Sequence, residues 1–469
     1  MKHVLYVAFY FPPDGGAGTQ RSLKFCKYLP TLGWLPVVLT RDSGRQRHAM
    51  EAEDTSFLEE LPPEVSVIRV SEKSRQREHG FRTSDVSKSY LQSFYDEAVR
   101  VLQTQKVDII LITMSPFGFA RLGTLLQSRF GVPVIYDLRD PWALDGWRTY
   151  RTRFHWYADR RVMRRTLGKA SGIIANTNEA AKAIGELICG ISKDPRMTVI
   201  PNGYDSHDFE NISAIPETDG ESEFKVVHAG TLHTPQIYPS RSMISKLKRM
   251  LRVRPEPIVP DGRTEYFLYR AIKILLDEGH PIGEKFRFVC VGQNSEANTR
   301  CAREAGLLSR VSFTGYLSHQ ESIQWLAQAD ALFLPLHDLP RGYRSLIVPG
   351  KTYEYLAANR PILAALPPGD ARDLLEQSMY GFLASPCDPS SIARCLKAIF
   401  EQRTSSESQY LPPAWLCEFE RKALTGKLAG FLETVLVGAS NRTEMPPDIT
   451  SHSAEHSETQ ERSKDGGVG

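Results

Sequence analysis

Val348-Pro349-Gly350-Lys351-Thr352-Tyr353-Glu354-Tyr355-Leu356-Ala357 lies between two apolar runs, 331–336 and 361–366. Each run is short enough for a buried strand, and the ten residues between them read as a helix. Strand, helix and strand in that order are the unit of a parallel sheet covered by helices. Pro349 suits the first helical position, where a missing N–H costs nothing. Lys351 in the first turn opposes the helix dipole. It is accommodated if an anion rests there on N–H groups that Gly350 leaves uncovered. Glu354 follows one turn later on the same face and can accept hydrogen bonds from sugar hydroxyls. The stretch therefore reads as a seat for a nucleoside diphosphate and its ribose. The alternative reading is a surface helix on which Lys351 and Glu354 form a solvated pair.

Working outward, the same alternation fills the chain. An expected first strand, 3–11, ends in Pro12-Pro13-Asp14-Gly15-Gly16-Ala17-Gly18, and a helix follows through Arg21, Leu23, Phe25 and Leu29. A strand, a glycine-rich turn and a helix bring bare N–H groups toward phosphate. The glycine spacing is not the dinucleotide pattern, and glycines making only a tight turn are the alternative. Further strands are expected at 36–40, 65–70, 107–113, 132–137, 172–176 and 198–200, with helices at 91–102 and 119–130. The polar run 71–88 reads as a mobile loop. A second series begins at Phe224, with a helix over 265–278 and strands at 286–291 and 311–313. Ser318-x-x-Glu321 is a capping box opening another helix. Gly230, Gly292 and Gly315 each close a strand, which is where doubly wound sheets bind ligands. The divisions that follow are 1–205, a linker 206–222, a second domain 223–412, a closing helix 413–437 and a disordered tail 438–469.

Composition narrows the class. At 469 residues, with 41% hydrophobic and 24% charged residues, the chain is expected to hold two domains, or three at most, with full cores. A net charge of +3 gives no bulk signature of a nucleic-acid binder. Seven scattered cysteines without CxxC spacing fit reduced thiols in a cytoplasmic protein. The amino-terminal apolar run is too short to span a bilayer, and no later segment approaches about 18 consecutive apolar residues. Two stretches are basic and amphipathic: 147–169, with Trp147, Phe154, Trp156 and Tyr157 among its arginines, and 241–254. Both are candidates for an anionic membrane surface, and a solvated charged face is the alternative.

Taken in order, these motifs resemble a family. Phe11-Pro12-Pro13-x-Gly15-Gly16-x-Gly18-x-x-Arg21, Asp137-Leu138-Arg139-Asp140-Pro141-Trp142 and Pro201-Asn202-Gly203-Tyr204-Asp205 resemble the first domain of glycosyltransferase family 4. His228-Ala229-Gly230-Thr231-Leu232, Val291-Gly292, Val311-x-Phe313-x-Gly315-Tyr316 and the opening stretch are similar to its second. The resemblance spans about residues 1–436. It implies an α/β protein of the GT-B fold, two Rossmann-like doubly wound domains facing across a cleft, with the last helix crossing back to the first. It also implies a retaining glycosyltransferase that moves a sugar from a nucleotide-sugar donor to an acceptor hydroxyl on a glycan or lipid-linked carrier. Such a protein would serve bacterial-type polysaccharide or glycolipid assembly, in the cytoplasm or peripherally on the inner face of the plasma membrane.

On that resemblance the donor site comprises Gly15, Gly16, Gly18, Arg21, Gly230, Thr231, Arg263, Gly292, Tyr316, Pro349, Gly350, Lys351 and Glu354. No cofactor and no metal is expected, since the chain contains no Asp-x-Asp pair. Two departures stand out. Leu346 occupies the position of the first glutamate in the family's Glu-x7-Glu pattern, and Arg139-Asp140 stands where His-Asp is usual. Asp140, with Arg139, is then the catalytic candidate on the acceptor side, as a base or an orienting group. A structural aspartate is the alternative. A sugar-nucleotide 2-epimerase and a non-catalytic nucleotide-binding scaffold are the other functions the pattern allows.

Overall fold

The structure, a computed structural model, describes residues 1–42, 54–72, 85–191, 196–210, 212, 223–234, 252–404 and 412–443. Two wholly parallel sheets organise it. The first contains β1 (Lys2–Val7), β2 (Trp34–Arg41), β3 (Ser66–Val70), β4 (Ile109–Met114), β5 (Val134–Leu138), β6 (Gly172–Ala175) and β7 (Met197–Val199), in the order β3-β2-β1-β4-β5-β6-β7. The second contains β8 (Phe224–Ala229), β9 (Phe286–Val291), β10 (Val311–Gly315), β11 (Ala331–Pro335), β12 (Ile362–Ala365) and β13 (Gly381–Ala384), in the order β10-β9-β8-β11-β12-β13.

Both orders reverse direction once, between β1 and β4 and between β8 and β11. Connections leave opposite faces at such a point, so a crevice opens beyond the carboxyl ends of the two strands. The expected helix after β11 and Gly230 after β8 flank that crevice in the second sheet. β4, β5, β11 and β12 are buried along their whole lengths, as strands covered on both sides must be. Apolar clusters fill both faces of each sheet.

The last helix, Arg421–Thr443, packs Leu424, Leu428, Leu432 and Val435 against Val4, Tyr6 and Phe25 of the first sheet's cluster. It thus returns to the amino-terminal half, and a 3-10 turn over Ala414–Phe419 precedes it. Residues 438–443 were assigned to a disordered tail; they continue this helix. The Arg196 guanidinium lies against Gly438 and donates to Val435 O at 3.4 Å, tying this part of the helix to the first domain. Residues 444–469 of that tail are outside the described residues.

Two other boundaries differ from expectation. The helix expected at 91 begins at Lys88, because the Ser87 hydroxyl caps it by accepting from Tyr90 N at 3.0 Å. Most of the expected mobile loop 71–88 is outside the described residues. In the expected linker 206–222, Ser206–Phe209 forms a 3-10 turn tied to the first domain, where Lys24 holds Asp208 at 3.2 Å. Residues 211 and 213–222 are outside the described residues. All seven cysteines are free thiols.

Candidate active site

The second domain supplies a pocket of cations at its sheet's reversal point. β8 ends at Ala229, and Gly230 turns away with φ +106°. Gly230 N donates to Val291 O at 2.6 Å, and Gly292, with φ +134°, donates to Gly315 O at 3.0 Å. The three glycines thus stack the ends of β8, β9 and β10. A side chain on Gly230 would meet Lys351 Nζ at 2.8 Å, so the bare backbone is what admits the lysine.

Lys351 opens the helix Lys351–Ala357 and points its Nζ at Ala229 O and at His228 Nε2, 3.2 Å away. His228 Nδ1 lies 2.9 Å from Phe333 O. A carbonyl only accepts, so Nδ1 carries the hydrogen and Nε2 is free to receive Lys351. Burial, and then the nearby charge of Lys351, hold His228 well below its ordinary pKa. The Tyr355 hydroxyl accepts from Ala229 N at 2.8 Å and fixes this corner from below.

Arg263 closes a 3-10 turn, Pro260–Arg263, and stands beside the lysine. Burial and Arg263 together push Lys351 down to about 7. Burial likewise lowers Arg263, against the opposing pull of Asp140 and Asp145. Neighbouring His233 and His337 fall to about 4 and about 3, through burial first and Arg263 next, so both are neutral. Among the described residues, neither Lys351 nor Arg263 has a carboxylate within ion-pair distance. Two cations forced together without an anion form a socket for one.

The expected helix-end geometry needs correction. Pro349 lies ahead of the helix, Gly350 is its cap, and the helix has seven residues. Thr352 N donates back to Pro349 O at 3.0 Å and Tyr353 N to Gly350 O at 3.3 Å. So short a helix has little dipole, and the socket rests on the side chains of Lys351 and Arg263. Glu354 is half-buried on the same face, and its carboxylate has no hydrogen-bond partner among the described residues. Thr231 is exposed beside Gly230, and Tyr316 is 42% exposed past the end of β10.

Across the crevice, Arg139 and Asp140 follow the end of β5. Asp140 is exposed, and its charge reaches Arg263. Arg139 lies over the glycine-rich turn, where a Cβ on Gly18 would fall 1.4 Å from its Nη1. Gly18 therefore makes room for a side chain of its own domain and is removed from the donor residues. Gly16 has φ +96° with open space around it, and it caps the helix Ala17–Tyr28. Gly15 is half-buried beside it.

Arg21 also needs correction. It is 0% exposed, pairs with Asp137 through two bonds of 2.7 and 3.0 Å, and donates to Ile200 O and Pro201 O. Every one of these hydrogen bonds is internal to the first domain, so Arg21 holds β5 and the chain after β7 together and is unavailable to a phosphate.

Several residues that bring the domains together were missed or misread. Trp147 Nε1 donates to His337 Nδ1 at 3.0 Å, and its ring lies 4.6 Å from that of His233 and 5.3 Å from the Arg263 guanidinium. It was grouped with a membrane stretch because it precedes a basic run. Arg254, assigned to the same surface, donates to Gly146 O and Trp147 O and is a clamp between domains. Residues 241–251 are outside the described residues. Leu346, at the departure from the glutamate pattern, presents its carbonyl to Thr177 Oγ1 at 2.8 Å. Asp145, pushed up to about 6 by burial and then Asp140, carried no sequence signal beyond its nearness to Trp142. His319, in the capping-box helix, sits 2.9 Å from Asp208 and 3.0 Å from Gln20.

Two doubly wound domains facing across a cation-lined crevice make up the GT-B fold. Residues 15–203 match the model of a "glycosyl transferase 4-like domain", and 261–402 match "glycosyl transferases group 1". Among solved structures, a glycosyltransferase from Rickettsia africae is similar over 93% of this chain and 98% of its own, at TM-score 0.59 and 14% identity. Anabaena HepE, solved in complex with UDP and glucose, is similar over 94% and 99%, at TM-score 0.54 and 16% identity. The UDP-GlcNAc 2-epimerase of Methanocaldococcus jannaschii is similar over 92% and 100%, at TM-score 0.50 and 10% identity. No curated protein matches by sequence. The chain belongs to the family 4-like glycosyltransferases of the GT-B fold.

Proposed function

We propose that this protein is a retaining, metal-independent glycosyltransferase that moves a hexose-like sugar from a nucleoside diphosphate donor to the hydroxyl of a glycan or lipid-linked acceptor. The observation that carries this reading is the Lys351–Arg263 pair: two cations at the reversal point of the second sheet with no carboxylate bound to either among the described residues. In transfer, the bond from the anomeric carbon to the β-phosphate oxygen breaks, a bond to the acceptor oxygen forms, and the diphosphate gains negative charge. Cations already in place stabilise that charge without reorganising, which is where most of the catalysis arises. Gly230, Gly292 and the cap at Gly350 let the diphosphate approach backbone, Glu354 accepts from ribose or sugar hydroxyls, and Tyr316 faces the base. Gly15 and Gly16 close on the donor from the other domain. Asp140, exposed beside Arg263, takes or orients the proton of the acceptor hydroxyl, with Arg139 fixing its loop.

HepE, similar in fold, is described with UDP and glucose, which supports a nucleotide-sugar donor. A peripheral position on the cytoplasmic membrane face is supported by the helix Arg153–Leu167. Its exposed side carries Phe154, Tyr157 and Val162, at 77%, 54% and 50%, among Arg153, Arg161 and Arg165. Basic residues at an anionic surface contribute about 1 kcal/mol each. No helix among the described residues is long and apolar enough to cross a membrane. Assembly of a bacterial-type polysaccharide or glycolipid fits such a position.

Nucleotide sugars incubated with the protein, with and without acceptor and with chelator present, test the proposal. Consumption of one donor, lost in Lys351→Ala, supports it. Conversion of the sugar alone without acceptor marks an epimerase. Nucleotide binding without turnover under any condition marks a scaffold.

A further inference from the structure

A cavity of about 550 Å³ lies beside the donor crevice, walled by Trp147 and Thr149 of the first domain and by Arg252, Arg254 and Glu256 of the second. We propose that it receives the anionic end of the acceptor, a glycosyl phosphate or glycosyl diphosphate, which rests on the glycosyltransferase reading above.

Three observations converge. The cavity is made by the joining of the two domains: Tyr150 and Val253 exchange both backbone hydrogen bonds, at 2.7 and 2.8 Å, and Arg254 Nη1 holds Gly146 O and Trp147 O. The segment 252–257 that reaches over lies just before Arg263. The cavity also shares a wall with the donor socket. Trp147 lines it and, through the same indole, touches His233, His337 and Arg263. A ligand in the cavity is one side chain from the cations that hold the departing diphosphate.

The lining chemistry then selects the ligand. Arg252 is exposed and has no ion-pair partner among the described residues. A guanidinium offers paired donors in the geometry of phosphate oxygens. Thr149 adds an exposed hydroxyl. Glu256 stands against Gly146, where burial and then Asp145 push its carboxyl up to about 7. Near neutral pH it is therefore partly protonated, able to bond sugar hydroxyls and weakly repulsive to an anion. The volume suits one or two sugar units. The cavity follows directly on the loop before Arg153, where the exposed basic and aromatic helix face begins.

Binding is measured by calorimetry in the presence of whichever nucleoside diphosphate stabilises the protein. The probes are N-acetylglucosamine 1-phosphate, its neutral methyl glycoside, and a polyprenyl diphosphate-linked sugar in phosphatidylcholine vesicles. The expected result is binding of one or both phosphate-bearing probes in preference to the glycoside. Arg252→Gln weakens that binding at least tenfold and Arg252→Lys less, with nucleoside diphosphate affinity held within twofold. A free phosphate bound as well as the vesicle probe assigns a soluble acceptor; binding of the vesicle probe alone assigns a lipid-linked one. Equal binding of the neutral glycoside, no binding of either phosphate, or an unchanged Arg252→Gln overturns the proposal. Failure of every nucleoside diphosphate to bind the wild type sinks the glycosyltransferase reading instead, because that measurement does not involve the cavity.

Discussion

Arg21 and Arg263 read alike in the sequence: each stands within three residues after a glycine, near the start of a helix in a doubly wound domain. In the structure they are opposites. Arg21 is sealed inside the first domain, bound in two places by Asp137 and by two carbonyls. Its pKa is raised because Asp137 outweighs the burial that alone would lower it. Arg263 is lowered, since burial prevails over the more distant Asp140 and Asp145, and Lys351 is lowered with it. A cation whose charge is answered inside the protein is architecture. A cation left unanswered beside a crevice is free to meet an anion, which is the role proposed for Arg263 and Lys351.

That contrast can be broken by substitution, and the largest effect belongs to the architectural residue. Arg21→Met leaves Asp137 buried without its partner, which costs about 3–5 kcal/mol. Denaturant unfolding should show the loss, with donor affinity retained in whatever protein folds. If Arg21→Met is fully stable and fails only in turnover, the arginine belongs to the donor after all.

Lys351→Ala should behave the other way. Loss of one preorganised donor to a developing anion lowers kcat about 10²–10³-fold. Stability should hold or rise, because the variant no longer buries a charge. Steady-state kinetics beside a melting curve separates the two. A melting temperature that falls as far as activity would make Lys351 structural.

Gly230→Ala tests the backbone that admits this lysine. Its φ of +106° costs a residue with a Cβ about 1–3 kcal/mol, and the methyl displaces Lys351 Nζ. Activity should therefore fall further than stability alone accounts for. A variant losing stability and keeping full kcat would show the close approach to be incidental.

The lysine also makes the comparison pH-dependent. Its folded pKa of about 7 lies below the free value of 10.5. Below pH 7 both folded and unfolded chains are protonated there, and the full cost of burying the charge is present. Between pH 7 and 10.5 the unfolded chain holds the extra proton, so stability of the ligand-free protein rises with pH across that window. An anion at Nζ restores the proton, so nucleoside diphosphate binding should take up a proton above pH 7 and weaken as pH rises. Calorimetry in buffers of different ionisation enthalpy reads that uptake, and its absence in the wild type would place the anion elsewhere.

How much of this was legible depended on the range of the interaction. Alternating apolar runs and terminal glycines announced two parallel sheets, because periodicity and turn chemistry are local. Gly230 is marked by its strand end, Lys351 by the start of its helix and Arg263 by its place just before one. Arg21 was misassigned because its partner, Asp137, is 116 residues away, and no local pattern says whether a charge is answered. Trp147 and Arg254 were misread for the same reason, since each matters only through the opposite domain. The short strand Gly381–Ala384 carried too little apolar pattern to stand out from the loops around it. Glu256 and Asp145 look like ordinary surface acids until the two domains close over them.

The smallest expected effect concerns the seam on the far side of the crevice from Trp147. His319, in the second domain, faces Asp208, Gln20 and Asp54, and Glu354 and Lys24 add their charges from either side. Burial lowers its pKa, but the bond to Asp208 and the charge of Glu354 more than reverse this, and the folded value lies above 6.5. The stabilisation from the protonated ring is therefore fully present below pH 6.5 and is lost as pH rises through the folded value. His319→Gln keeps a hydrogen bond to Asp208 and removes the charge. Below pH 6.5 it should loosen the domain contact modestly, about a few-fold in hydrogen exchange at Gln320 and its neighbours, and in alkaline solution it should match the wild type. Donor turnover above pH 8 should be untouched, since no part of the Lys351–Arg263 socket bonds to this ring. A His319→Gln effect that is the same at every pH would mean that the ring acts by shape alone, and the two seams would then differ only in which side chains fill them.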